Sequence, residues 1–313
     1  MKPRSALSLA PICLGVLYVV WGSTYLAQRV AVTSMPPLQM VAIRFLVAGA
    51  LLYAALRARG APAPDVRAWK AAAVSSLPLI VTGMGTAAVA LQRVPSGLAA
   101  LVFGSVPLWA SLFDRLWGGK LRGLEIVGLG LGFGGVALVA SRGALGADPV
   151  GAALLAGAAA SYAFGCVATR KARLAPGVMG TATQMLCGGV LLAAASLLRG
   201  EPLAPVPARA AWALVYLVLF GSLLAYSAFG WLLKNVRPAL ATSYAYVNPI
   251  IALALGAALG GEHFQSSDFA GLALVLSAVA LVAWAQRAPE PHSLMYTTTP
   301  PATNVPGPST LRS

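Results

Sequence analysis

The 313-residue chain predicts an all-α membrane protein of ten transmembrane helices in two inverted five-helix repeats. Three observations predict it. The chain is 58% hydrophobic and only 10% charged, whereas a soluble globular chain carries about 25% charge. It holds ten apolar runs of the roughly 20 residues that cross about 30 Å of hydrocarbon. It also repeats itself with a period of about 141 residues, roughly half its length.

The first run, about 9–28, follows Lys2 and Arg4 and continues without a small-residue cleavage site, so it reads as a retained helix. The second, about 37–57, opens on Pro36-Pro37. Proline is tolerated in a first helical turn, where its missing N–H would have no partner anyway. Pro62 and Pro64 precede the third run, about 69–91. The fourth and fifth are about 96–117 and 123–141. Pro149 opens the sixth, about 150–169, and Pro176 the seventh, about 178–198. Pro202, Pro205 and Pro207 precede the eighth, about 210–232. The ninth and tenth are about 239–261 and 268–286. From Pro289 the chain is rich in Pro, Thr and Ser without apolar periodicity, which predicts a disordered tail. The expected organisation is a first repeat over 1–145, a second over 146–287 and a tail over 288–313.

The repeat is visible in the residues. Trp21 to Arg29 lies over Tyr162 to Arg170, Arg44 to Leu52 over Gln184 to Leu192, and Leu91 to Pro107 over Leu233 to Pro249. Five spans per half is an odd number, so the second half must be inverted. Lysine and arginine set the orientation. With the N-terminus inside, about 16 basic residues gather on the inner side against 5 on the outer side. Both termini are then cytoplasmic, in the cell (inner or plasma) membrane.

The net charge of +14 is scattered singly or in small clusters, with no basic face to lie on a phosphate backbone. Nucleic acid is excluded as a partner; membrane lipids and a small-molecule substrate are expected. Cys13, Cys166 and Cys187 lie in apolar runs without CxxC spacing. No metal site, Walker A loop, HExxH or GxSxG motif appears, so neither a cofactor nor an enzymatic activity is expected. A glycine run at Gly128, Gly130, Gly132, Gly134 and Gly135 permits close helix approach. It serves packing within the chain or a homodimer interface.

The stretch from Ala241 to Glu262 draws the site together. It reads as an apolar helix broken at Pro249, with Tyr244, Tyr246 and Asn248 just before the break. Broken backbone at mid-membrane is tolerated only against protein or a water-filled cavity. Pro107 is its repeat mate, and Trp21 and Tyr162 also fall near the middle of their spans. A central cavity is therefore expected, with Pro107 and Pro249 as helix breaks and Tyr226, Tyr244, Tyr246, Asn248, Met84, Ser105 and Trp109 as lining candidates. Asn248 is the leading one, because a mid-membrane amide needs a partner. Arg44 is the one charged residue deep in a span, about 10 Å from the outer end. No Asp or Glu lies at its depth, so carbonyls, water or an anionic substrate must face it. Its mate Gln184 is polar too, which predicts that both face the interior between the halves. No carboxylate or histidine lies at mid-depth. Proton coupling is then unconventional, or the protein is a facilitator or exchanger.

Trp21-Gly22-Ser23-Thr24, Pro36-Pro37, Arg44-Phe45-Leu46, Ala48, Tyr246-Val247-Asn248-Pro249 and Gly261-Glu262 occur in an order and spacing that resemble the EamA-type permeases of the drug/metabolite transporter superfamily. The resemblance runs to about Gln286. It implies a ten-helix inverted-repeat transporter of small metabolites, often outward and without ATP. One departure stands out: the family often carries Glu at the end of the fourth span, where this chain has Lys120. The expected function is a secondary transporter, exporting small metabolites or amphipathic and aromatic compounds by alternating access. Trp21, Arg44, Tyr162, Tyr246 and Asn248 would surround its site. The alternative is a membrane-embedded lipid-handling protein or enzyme.

Overall fold

The computed structural model describes residues 4–118, 123–142, 148–202, 205–235 and 243–285. Among them there are only helices, turns and loops. Nine helices are long and apolar enough to cross a membrane: α1 (Leu9–Val32), α2 (Pro37–Ala58), α3 (Val66–Leu91), α4 (Ser96–Asp114), α5 (Gly123–Ser141), α6 (Pro149–Lys171), α7 (Val178–Leu198), α8 (Ala208–Phe229) and α10 (Ser266–Ala285). Between the last two lies the shorter apolar helix α9 (Tyr244–Gly260). The expected tail, Lys120 and the start of the ninth run lie outside the described residues.

The packing carries the duplication. Three repeat mates pack directly on one another: α2 on α7, α4 on α9, and α5 on α10. Other close pairs come in matched sets, among them α3 on α6 with α8 on α1, and α4 on α6 with α9 on α1. Glycine sets the closest of these contacts. A Cβ on Gly135 of α5 would lie 2.9 Å from the Gly271 carbonyl oxygen of α10. Gly128 and Gly132 face α10 as well, while Gly130 and Gly134 meet nothing within 4 Å.

Three spans contain π-helical turns: Leu17–Trp21 in α1, Leu77–Gly85 in α3 and Leu217–Leu224 in α8. A π turn leaves carbonyls out of the regular ladder and often marks a functional site. The Gly221 carbonyl accepts the Trp21 indole N–H at 3.1 Å.

The helix breaks differ between the mates. In α4, Gly104 and Ser105 interrupt the helix, and Pro107 is the second residue of the new segment, Val106–Asp114. Its missing N–H costs nothing there. The helix α9, by contrast, runs unbroken through Pro249, which is its sixth residue. The ring removes one bond, to the Ala245 carbonyl, and the helix bears that loss. The expected break at Pro249 is thus corrected: the interruption lies in its mate, where a Gly-Ser pair adds freedom that α9 lacks.

One end of the bundle is fastened by carboxylates. The helices α2 and α4 begin after Pro36 and Pro95, which have no side-chain acceptor for the free N–H groups of a first turn. Glutamates from other helices supply it. Glu262, after α9, accepts from the N–H groups of Ser96 at 2.6 Å and Gly97 at 3.0 Å. Glu201, after α7, accepts from Leu38 and Gln39 at 3.3 and 3.0 Å, and from the Ser196 hydroxyl at 2.7 Å. At the same end Arg29 donates to the Leu91 and Val94 carbonyls, and the Gln92 amide to Val32 at 3.2 Å.

Candidate functional site

A cavity of about 130 Å³ lies between the halves. Its walls come from α1, α2, α3, α4, α6, α8 and α9. The residues that face it from α1 are Trp21, Thr24, Tyr25 and Gln28, a set spaced i, i+3, i+4 and i+7 along one helical face. The break in α4 brings Phe103, Gly104 and Pro107 to the wall, opposite Pro249 and Asn248 of α9. The approach there is tight: a Cβ on Gly104 would meet the Pro249 ring at 3.2 Å.

Aromatic rings close one side. Trp21 contacts Tyr244 at 4.6 Å between ring centres, and Tyr226 and Phe229 at 5.4 Å each. Tyr244 and Phe229 meet edge to face at 5.6 Å. Rings in these tilted and T-shaped arrangements attract beyond their buried area. Across the cavity Phe103 bridges Tyr25 and Tyr162, at 6.2 and 5.8 Å.

Arg44 is the one ionised side chain among the described residues that line the cavity. It is 2% exposed. Its Nε donates to the Ser222 hydroxyl at 3.1 Å, and its guanidinium carbon lies 5.2 Å from the centre of the Phe45 ring. Its Nη1 has no partner among the described residues. Asn248 is 7% exposed, and its Oδ1 is likewise unpartnered among them. A helix-centre arginine costs about 2.5–3.5 kcal/mol to insert, and one hydroxyl acceptor does not offset that in full.

Of the residues singled out in the sequence, Trp21, Arg44, Met84, Tyr162, Tyr226, Tyr244 and Asn248 line this cavity, together with Pro107 and Pro249. Four others do not. Gln184 is buried elsewhere, donating to Ser75 at 2.8 Å and Thr169 at 3.0 Å. Inversion explains it, since a repeat mate of Arg44 must sit toward the opposite end of the bundle. Tyr246 donates its hydroxyl to the Val279 carbonyl of α10 at 3.2 Å. It follows Tyr244 by two residues, about 200° around the helix, so the two cannot share a face. Trp109 packs on Phe133, with ring centres 4.6 Å apart, and stacks on Phe113. Ser105 is fully buried and bonds back to the Val102 carbonyl at 2.5 Å, stabilising the broken end of α4.

Thr24, Tyr25, Gln28 and Phe103 escaped the sequence reading. A signal existed for three of them, because with Trp21 they form a polar and aromatic stripe at helical spacing. Phe103 is marked only by its place before Gly104-Ser105. Among the described residues no group of three metal-ligating side chains occurs.

The chain matches the EamA-like transporter family over residues 9–141 and again over 149–284. It is 45% identical over 271 residues to the inner membrane transporter YedA of Escherichia coli (strain K12), covering 86% of this chain and 89% of that protein. It is 30% identical over 270 residues to protein PecM of Dickeya dadantii, covering 84% and 88%. A solved structure at 22% identity superposes with a TM-score of 0.63, over 90% of this chain and 99% of the other; that likeness shows the fold alone. The two family matches fall one on each half, on α1 to α5 and on α6 to α10, and the chain belongs to the EamA-like transporter family of multi-pass membrane proteins.

Proposed function

We propose that this protein is a secondary transporter that moves a small amphipathic or aromatic metabolite outward across the cell's inner membrane by alternating access. The carrying observation is the cavity between the repeats, enclosed by seven helices and bordered by the α4 break. Transporters place substrates at the interface of inverted repeats, on discontinuous helices. The excess of Lys and Arg supports cytoplasmic termini. The Glu201 and Glu262 end then faces outward, and in this reading their bonds to the α2 and α4 starts hold that side shut. The inner-membrane location is supported by the name of the YedA relative. The outward direction is supported by the resemblance to a family whose members often transport outward. Trp21, Arg44, Tyr162, Tyr226, Tyr244 and Asn248 form the substrate site in this reading.

The test is counterflow. Proteoliposomes are loaded with one unlabelled compound from a panel of amino acids, nucleosides, sugars and aromatic amines, then given the labelled form outside, without ATP. Transient accumulation that Asn248→Ala reduces at least tenfold, with insertion unchanged, is the expected result. Undiminished flux in that variant would refute the site.

A lipid-handling function is the second reading. A shallow, apolar groove between α3 and α6, about 530 Å³ and lined by Thr82, Thr86, Leu154 and Ser161, opens outward from the bundle. Lipid exchange between leaflets without counterflow of any panel compound would favour it.

A further inference from the structure

We infer that the cargo is a small organic acid, a carboxylate on an apolar or aromatic body, held by Arg44. The inference rests on the transporter reading and names the substrate class of the same cavity. Arg44 is always protonated. Burial at 2% exposure demands compensation for that charge. No carboxylate lines the cavity among its described residues, and Ser222 satisfies only Nε. Nη1 is left without a partner among the described residues.

A carboxylate is the matching group. It accepts two parallel bonds from a guanidinium and neutralises it, and charge-assisted bonds are about twice as strong as neutral ones. A cationic or neutral cargo would leave the arginine charge uncompensated. The rest of the cavity fixes the remainder of the cargo. Rings from Trp21, Phe103, Tyr162 and Tyr226 offer faces and edges to an apolar body. A volume of about 130 Å³ is near the roughly 150 Å³ that holds benzene in an engineered protein cavity. The unpartnered Oδ1 of Asn248 accepts an N–H or O–H from a cargo that carries one.

The test is direct binding to purified wild-type protein by matched pairs: 3-phenylpropionate against 3-phenylpropionamide, and phenylalanine against phenylalaninamide and phenethylamine. The expected result is at least tenfold tighter binding of each acid than of its amide or amine. In Arg44→Gln that preference should vanish. Acids that bind no better than their amides, a preference that survives Arg44→Gln, or no binding by any acid would each overturn the inference. If Arg44→Gln does not fold, the wild-type pairs decide alone. Counterflow of neutral or cationic compounds without acids would sink the organic-acid assignment and leave the transporter standing. Lipid exchange without any counterflow would remove the transporter reading itself.

Discussion

The helices α2 and α7 are repeat mates, packed against each other, yet they do different work. Their scaffolding is shared. A Cβ on Gly49 of α2 would lie 3.0 Å from the Leu186 backbone nitrogen of α7, and one on Gly189 of α7 would lie 2.9 Å from the Leu46 nitrogen of α2. Their chemistry diverges at two aligned places. Arg44 faces the cavity with Nη1 unpartnered among the described residues, while its mate Gln184 is bonded to Ser75 and Thr169. Arg199-Gly200-Glu201 follows α7, while Arg59-Gly60-Ala61 follows α2. Glu201 therefore caps the start of α2, whereas the aligned Ala61 carries no carboxylate to offer the start of α7. Duplication keeps the packing; the site and the fastened end lie where the copies differ.

The largest expected effect comes from erasing the first difference. Arg44→Gln makes the two mates alike. It should lower flux about 10- to 100-fold, the worth of a charge-assisted hydrogen bond. Gln184→Leu should instead cost about 1–3 kcal/mol of stability, because the Ser75 and Thr169 hydroxyls lose the amide that donates to them, and hold flux within about twofold. Paired counterflow and thermal unfolding of the two variants check the contrast. Equal loss of flux in both would break it.

The fold was largely legible in the sequence, and the site only partly. Span limits emerged because apolar runs and prolines mark them directly, as at Pro37 and Pro149. Register within a helix was harder. Tyr244 and Tyr246 look equivalent in a string, and only helical rotation separates them. Inversion hid Gln184, because matched sequence positions fall at opposite depths. The π turns at Leu77–Gly85 and Leu217–Leu224 have no apolar period of their own. Glu201 and Glu262 act on helix starts more than 160 positions away, which only tertiary structure brings together.

The other glutamate at that end, Glu262, yields a smaller effect. Glu262→Gln weakens the acceptor of the Ser96 and Gly97 N–H groups, and should cost about 1–2 kcal/mol. If that end is a gate, a cysteine probe in the cavity should react several-fold faster from the Glu262 side. An unchanged rate would limit Glu262 to a structural role. Next is Gly221→Ala. Its Cβ would lie 2.9 Å from Thr24 Cγ2 and 3.4 Å from Arg44 Nη2. It should destabilise by about 1–3 kcal/mol and shift the apparent KM for flux, through the displaced guanidinium. A change in stability alone would show that Arg44 tolerates displacement.

The smallest effect lies at the loop before α6. Asp148 caps that helix at the Gly151 N–H, 2.8 Å away, and pairs with Arg93 at 2.8 Å. The Gly151 bond first, then Arg93, hold its carboxyl below the usual carboxylate range. A lowered folded-state pKa adds stability above the unfolded value and loses it as pH falls through the folded one. The Tm advantage of wild type over Asp148→Asn should be constant at neutral pH and shrink as pH drops below about 4. An advantage independent of pH would assign the cap to hydrogen bonding without charge.

The most direct test of the central claim is accessibility of one cavity position from each side of the membrane. Ala99 lines the cavity and is 1% exposed. With Cys13, Cys166 and Cys187 replaced, Ala99→Cys is labelled by a membrane-impermeant thiol reagent in right-side-out and inverted vesicles. Alternating access predicts labelling from both sides, slowed by a bound cargo. Labelling from one side only, or from neither, would contradict a central site that opens in turn to each face.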